Sequence, residues 1–430
     1  MNKPTLALIC PIFSVAGYGK HSAILAKSLL RLDKYDLKIV PIRWGTTPQT
    51  ALDQTNPDHI AILQKIVPHL TEVPDISIHV TIPSEFQKVG KVSIGVTALT
   101  EANICPPDFI SGCNRMDLVL VPSQFNVDVL KETVIEKRDN TTNQIIESLK
   151  FTGVVETLFE GTDLQIYNKT NIVKSPIIEQ LNKIPESFAF LYCGHWLEGR
   201  FGEDRKNVSG LIHTFFNAFK NKKNAPALVL KTSGAGFSNV ERDGIIDKIQ
   251  QIEEVVRDEG FNGKLPSIYL LNGELTDDEM NTMYNHAKIK AFVTFTKGES
   301  WGLPIAEFTT TGKPVICSNY GGPLDFLNPQ FSFLIPGSLT QIDASAANQW
   351  IPKEGKWFTV NYAMGGQIMR HVFENYEKCL EKSRKHIKYT KDNFSLDKMT
   401  ERFEMLLDKY ATVQPKPTLS LKLPQLKKLT

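Results

Sequence analysis

Short apolar runs bounded by turn residues recur along this 430-residue chain, and between them lie longer stretches with an apolar residue at every third or fourth position. The short runs predict buried strands, and the longer periodic stretches predict amphipathic helices. "LALICPIF", "LKIVPI", "ISIHVTI", "KVSIGVTAL" and "DLVLVPS" are the strands of the first half, with "HSAILAKSLLRL" and "QFNVDVLKETV" as helices among them. The same pattern restarts near Ser187 with "FAFLYCGHW", "ALVLKTSG", "SIYLLNGEL", "IKAFVTFT" and "KPVICSNY", separated by four further helical stretches. Strands alternating with helices predict α/β architecture with largely parallel sheets.

Two series imply two doubly wound, Rossmann-like domains, a division that the length alone already favours. We expect an N-terminal domain over 1–180 and a second over 186–365, joined where "IVKSPIIEQLNKIPES" loses strand periodicity. Crossover helices over 366–411 and a lysine-rich, acid-free tail over 412–430 complete the expected layout. The tail reads as a mobile basic segment. Ligands of open α/β sheets bind beyond the carboxyl ends of the strands, so two facing sheets make a cleft between them.

Composition narrows the class only modestly. With 41% hydrophobic and 22% charged residues, the chain reads as an ordinary globular protein. The formal charge of +2 makes no whole-chain argument for a nucleic-acid partner. Six dispersed cysteines lack any C-x-x-C pair and predict reduced thiols in a cytoplasmic protein. The opening apolar run, interrupted by Pro11, reads as a buried strand and not a signal peptide.

The candidate chemistry concentrates in "FTKGESWGLPIAEFTTTGKPVICSNYGG", residues 295–322. A strand there leads through a Gly-bearing loop into a helix opened by Pro304, which tolerates the first helical turn because its missing N–H has no partner there. Free N–H groups of Ser300, Trp301, Gly302 and Leu303 would then face an anion, helped by the helix dipole. Glu299 in the loop and Glu307 one turn into the helix are poor phosphate ligands and good acceptors for hydroxyls. Together they fit a diphosphate flanked by polyols, as in a nucleotide sugar. The plainer alternative makes Glu307 a solvated helix residue and Glu299 a loop acid.

This segment resembles the E-x7-E signature of retaining GT-B glycosyltransferases, particularly the large family-4 group. The matching positions are Glu299, Trp301, Gly302, Leu303, Pro304, Glu307, Gly312, Pro314, Val315, Gly321 and Gly322, with Asp325 where relatives often carry Glu. Ser300 replaces the family's Gly after the first glutamate. "GYGKHS", with Gly17 and Gly19, is similar to the family's N-terminal Gly loop, where glycines allow backbone to approach the donor phosphates or the acceptor. "VTALTEANICPPDFISGCNRMDLVLVPSQFN" places Glu101 at the cleft mouth, where relatives keep a sugar-contacting histidine.

"YCGHWLEGRFGEDRKNVSGLIHTF" resembles the unit whose Arg and Lys clamp the donor diphosphate, and it departs from it in three ways. His195 stands where the arginine is usual, the loop is longer, and Asn207 replaces Gly. Lys206 matches the family lysine, and the arginine role falls to Arg205 or Arg200. Lys231, at a strand's carboxyl end, is a further donor-binding candidate, and His21 lies in the Gly loop.

The resemblance implies a GT-B fold, with C-terminal helices crossing back to the N-terminal domain. It also implies transfer from a nucleotide diphosphate sugar by front-face displacement, with retention. Glu299 would position the sugar, Glu307 the ribose, and Lys206 with Arg205 the diphosphate. No histidine or acidic triplet has metal-binding spacing, and "DDE" from Asp277 to Glu279 reads as a helix's capping turn, so neither metal nor cofactor is expected.

The acceptor stays open. A glycan or lipid-linked saccharide is the commonest for the family, while hydroxylated DNA is the alternative. "KNKKN", "KSRKHIKYTK" and the tail suit a phosphate backbone or an anionic surface, and solvated faces explain them as well. Other readings are a non-catalytic nucleotide-sugar-binding module and a phosphorylase or sucrose-type synthase of the same fold. Oligomeric state is not legible.

Overall fold

In a computed structural model, residues 3–139, 141–234 and 236–411 are described. The predicted basic tail over 412–430 therefore lies outside the described residues. Two parallel six-stranded sheets carry the chain. The first holds β1 (Thr5–Cys10), β2 (Asp36–Pro41), β3 (Ile76–Val80), β4 (Val92–Val96) and β5 (Leu118–Val121). After an antiparallel hairpin, β6 (Val134–Arg138) and β7 (Ile145–Lys150), β8 (Val155–Thr157) completes the sheet in the order β2-β1-β3-β4-β5-β8.

The second sheet is built from β9 (Ala189–Cys193), β10 (Ala227–Lys231), β11 (Ile268–Leu271), β12 (Ile289–Val293), β13 (Val315–Ser318) and β14 (Phe333–Ile335). Its order is β11-β10-β9-β12-β13-β14, and a separate hairpin pairs β15 (Gly337–Gln341) with β16 (Lys356–Val360). Strands covered by helices on both faces must be apolar throughout, which is why the runs found in the sequence are continuous and not alternating. Leu6, Leu8, Ile76 and Ile78 are fully buried in one sheet, as are Phe190, Leu191, Leu228 and Leu230 in the other.

The crossovers are helical. They comprise α1 (Gly17–Leu32), α2 (Pro57–Leu63), α3 (Pro107–Asn114), α4 (Gln124–Glu132), α5 (Pro176–Asn182), α6 (Val208–Phe219), α7 (Asn239–Asp258), α8 (Asp277–Asn285) and α9 (Leu303–Thr309). Side chains set several of their starts. Ser238 with Glu241, and Thr276 with Glu279, form reciprocal capping boxes at the heads of α7 and α8. Buried Asp204 accepts from the Val208 N–H at 3.1 Å and so anchors α6.

Four helices follow the second sheet: α10 (Tyr362–Glu374), α11 (Tyr376–Ser383), α12 (Lys385–Asn393) and α13 (Leu396–Tyr410). The last crosses back to the first domain, as expected. Leu396, Met399, Phe403, Leu406 and Leu407 join the same apolar core as Leu25 and Leu29 of α1. The N–H of Thr162 donates to the Phe394 carbonyl at 2.9 Å, and the Leu396 N–H returns to the Thr162 carbonyl at 2.8 Å. Each fully buried Leu or Phe in that stripe contributes about 2 kcal/mol of apolar burial. Exposed pairs such as Arg31 with Asp397 and Lys34 with Glu404 add at most about 1 kcal/mol each.

The two hairpins are absent from the periodicity reading. In β6 and β7 nearly every residue is exposed, so no apolar pattern announces them. "KEGKWFTVNY" supplies β16, whose Phe358 N–H donates to the Lys297 carbonyl at 2.8 Å beside the candidate site.

Candidate active site between the two sheets

Close backbone approaches and hydrogen bonds seal the seam between the domains. A Cβ on Gly298 would lie 2.1 Å from the Glu101 carbonyl oxygen, so only glycine allows the loop after β12 to meet the loop after β4. Ser300 Oγ donates to the Ala98 carbonyl and lies 3.3 Å from the Thr100 carbonyl, both in the first domain. Asp325 accepts from the Gln124 N–H at 2.8 Å and thereby caps α4 across the seam. The Asn103 N–H donates to the Lys356 carbonyl at 2.9 Å, and the Lys356 N–H donates to Asn103 Oδ1 at 2.6 Å.

The charged residues at this seam fall into two clusters. In the first, Lys206 Nζ donates to Glu299 Oε1, and Arg205 Nη1 lies 3.5 Å from Glu299 Oε2 and 3.1 Å from Glu101 Oε1. Arg205 also donates to the Gly298 carbonyl at 3.1 Å. Four sequence candidates thus meet, delivered by the loops after β4 and β12 and the loop before α6. Glu299 is only 7% exposed. Burial pushes its carboxyl pKa up, but Lys206 and Arg205 together hold it below the ordinary carboxylate value. Burial lowers the Lys206 pKa, and the charge of Arg205 adds to that fall while Glu299 opposes it.

The second cluster surrounds Glu307. Lys20 Nζ, from the first turn of α1, donates to Glu307 Oε1 at 2.9 Å and to the Tyr167 hydroxyl at 2.9 Å. It lies 2.8 Å from Asp277 Oδ1, and the Tyr284 hydroxyl donates to Glu307 Oε2 at 3.0 Å. Burial disfavours the Lys20 charge, yet Asp277 and Glu307 outweigh that and raise its pKa. Glu307 is 2% exposed and both of its oxygens are engaged, so it is a buried cross-domain partner in this state and not a solvated helix acid.

The remaining candidates separate by geometry. A Cβ on Gly19 would lie 1.8 Å from the Ser14 carbonyl, so this glycine serves the loop's own packing; Gly17 has open space. Lys231 Nζ donates to the Gly273 carbonyl at 2.7 Å, and burial lowers its pKa. Arg200 lies far out on an exposed ion pair with Asp343, leaving Arg205 as the arginine at Glu299. His195 Nδ1 lies 2.8 Å from the Gly234 carbonyl. Trp301 is a core side chain, its ring centroid 4.7 Å from that of Phe326 and 5.9 Å from that of Phe159. The backbone N–H groups of Ser300, Trp301, Gly302 and Leu303 donate to no other described group. Among the described residues, no group of His, Cys, Asp and Glu is arranged to hold a metal.

Sequence reasoning passed over Lys20, Tyr284, Tyr167 and Glu160. Asp277 is more than the capping-turn acid it was taken for in the sequence, because it also pairs with Lys20. A signal for Glu160 did exist: it lies three residues beyond the carboxyl end of β8, on the side where open sheets place their ligands.

Comparisons with known proteins agree on this architecture. No protein-family model matches the chain. A curated relative, sucrose synthase 2 of Pisum sativum, is 25% identical over 125 residues, which is 28% of this chain and 15% of that protein. The chain therefore spans a small fraction of that relative's length. Among solved structures, sucrose-phosphate synthase from Thermosynechococcus elongatus superposes with a TM-score of 0.61 at 14% identity, covering 95% of this chain and 99% of that one. Anabaena HepE in complex with UDP-glucose gives 0.58 at 13% identity over 94% and 100% of the two chains. Trehalose 6-phosphate synthase from Burkholderia multivorans gives 0.59 at 9% identity over 96% and 99%. At these identities the likeness establishes the fold, and the fold is GT-B.

Proposed function

We propose that this protein is a glycosyltransferase that moves a sugar from a nucleotide diphosphate sugar to an acceptor hydroxyl, with retention at the anomeric carbon. The observation that carries the reading is Glu299 held between Lys206 and Arg205 at the seam of two facing sheets, beside four backbone N–H groups with no described partner. The HepE complex with UDP-glucose and the sucrose-phosphate synthase likeness support the donor class.

The charges suggest how binding reorganises the site. Two cations and two carboxylates now satisfy one another. An arriving diphosphate competes with Glu299 for Lys206 and Arg205, whose charges then neutralise the leaving group. Glu299, released, accepts hydrogen bonds from donor-sugar hydroxyls. Glu307 takes the ribose once Lys20 turns aside.

In the transfer, the bond from the anomeric carbon to the phosphate oxygen breaks and a bond to the acceptor oxygen forms on the same face. The acceptor's proton passes to the departing phosphate oxygen. No carboxylate nucleophile of the kind used by retaining hydrolases is required.

The acceptor we favour is a glycan or lipid-linked saccharide, acted on in the cytoplasm. Six unpaired cysteines fit a reducing compartment. No described helix is long and apolar enough to cross a membrane. The test is incubation with labelled uridine, guanosine and adenosine diphosphate sugars and a panel of saccharide, lipid-linked and hydroxymethylated-DNA acceptors at low and high salt. Label in a saccharide fraction supports the reading, label in DNA moves the acceptor class, and no label with no nucleoside diphosphate released overturns it.

A further inference from the structure

Within electrostatic reach of both charged clusters lies a third carboxyl that neither uses. Glu160 follows β8, and both Glu299 and Glu307 act on it electrostatically, as does Lys20 from the other direction. Among the described residues it accepts no hydrogen bond. Nδ1 of His21, near the start of α1, lies 3.8 Å from Glu160 Oε1, and both side chains are largely buried, at 8% and 12% exposure. That His21 Nδ1 has no hydrogen-bond partner of its own. Buried polar atoms are almost always paired, so the unpaired His21 nitrogen beside a carboxyl at a cleft marks a place where a ligand or water completes the set.

Charge decides which ligand group fits. A third carboxylate within reach of Glu299 and Glu307, beside an incoming diphosphate, would repel all three. A neutral carboxyl there has the opposite effect, because its O–H is a donor aimed at an acceptor-rich group. Building on the donor class argued above, we propose that Glu160, backed by His21, stays neutral and donates a hydrogen bond to the diphosphate of the bound nucleotide sugar. The electrostatic reach of Glu160 to both glutamates supports this assignment: if Glu299 takes the sugar and Glu307 the ribose, a group acting on both is near the phosphates that join them. Burial, followed by the charges of Glu307 and Glu299, pushes the Glu160 carboxyl up to about 8, while burial lowers His21 to about 4, so both are uncharged near neutrality.

The proposal carries a pH signature. As pH rises through the Glu160 value the O–H is lost, and donor affinity falls with it. The other titratable and charged groups facing this position are Tyr18, Lys20 and His21 on α1, Glu307 on α9, and Glu299, which carries Lys206 and Arg205 with it. Lys206 also loses charge on the alkaline side, so the wild-type profile alone is insufficient.

Titration calorimetry with uridine, guanosine and adenosine diphosphate glucose between pH 6.5 and 9, with full-length wild type, Glu160→Gln and Glu160→Ala, separates the cases. These donors have a diphosphate diester with no proton to lose in that window. Glu160→Gln retains an N–H donor, so it is expected to bind within about threefold of wild type at neutral pH and to decline less steeply than wild type on the alkaline side, whereas Glu160→Ala binds about tenfold more weakly. Parallel declines in wild type and Glu160→Gln would assign the titration to Lys206 and overturn the proposal, as would undiminished binding by Glu160→Ala. Should Glu160→Gln fail to fold, as checked by thermal melting, the alanine comparison decides alone. Absence of binding by wild type to all three donors overturns the donor reading itself, an outcome distinct from either of those.

Discussion

Lys20 Nζ lies 2.9 Å from Glu307 Oε1, joining the first helix of one domain to the second glutamate of the other. Asp277 at 2.8 Å shares the same ammonium group. Removing Lys20 strands two carboxylates, one of them buried, and breaking a buried pair from one side costs roughly 3–5 kcal/mol. Lys20→Met is therefore expected to lower the urea midpoint markedly, and Lys20→Met combined with Glu307→Gln to recover part of the loss. An unchanged midpoint in the single variant would remove Lys20 as a cross-domain partner of consequence.

The Ser300 hydroxyl donates to the Ala98 carbonyl across the cleft. Ser300→Gly loses that bond, worth about 1 kcal/mol net. Amide exchange over 97–101 is expected to rise about fivefold while exchange in the β9 and β10 core stays constant. Equal protection in both proteins would argue that the seam is held by other contacts.

Gly298 and Glu101 test the closeness of the loops. Alanine at Gly298 drives a methyl to 2.1 Å from the Glu101 carbonyl, and something must move. Overpacking of this kind costs about 1–3 kcal/mol. The chain is expected to remain folded by circular dichroism, with nucleotide-sugar turnover reduced at least tenfold because Glu101 and Arg205 separate. Wild-type turnover would show that the seam opens during catalysis.

The acid side of the stability profile reports on Glu299. Lys206 and Arg205 overcome burial and hold its folded pKa below the ordinary value of about 4.5. A carboxyl with a depressed folded pKa stabilises fully above its unfolded pKa and loses that contribution as pH falls through the folded value. The stability gap between wild type and Glu299→Gln is thus expected to be constant near pH 7 and to close below about pH 4.5. A gap independent of pH would mean that the cations at this site stabilise something other than the carboxylate.

The residues legible in the sequence share a physical origin, and so do those that were not. Buried parallel strands such as Phe190 and Leu191 must be apolar on both faces, so both sheets appear as continuous runs. Glu299 sits in a loop with fixed spacing to turn glycines, and the family resemblance singled out Lys206 and, with Arg200 as the alternative, Arg205. Lys20 could not be found that way: a lysine in a first helical turn reads as solvated until the other domain brings Glu307 to it. The exposed β6–β7 hairpin buries too little to leave a period. Gly19 was legible as a glycine, but the close approach to Ser14 that it permits was not.

The central claim is that Glu299, Lys206 and Arg205 handle a nucleotide sugar. The most direct test measures release of nucleoside diphosphate from uridine, guanosine and adenosine diphosphate sugars by wild type, Glu299→Ala and Lys206→Ala, with saccharide and DNA acceptors present. The account predicts turnover with at least one donor, falling by about 100-fold or more in either variant, since each removes a group acting on the transferred sugar or the leaving diphosphate. Turnover that persists undiminished in Glu299→Ala, or no release from any donor by the wild type, would contradict it.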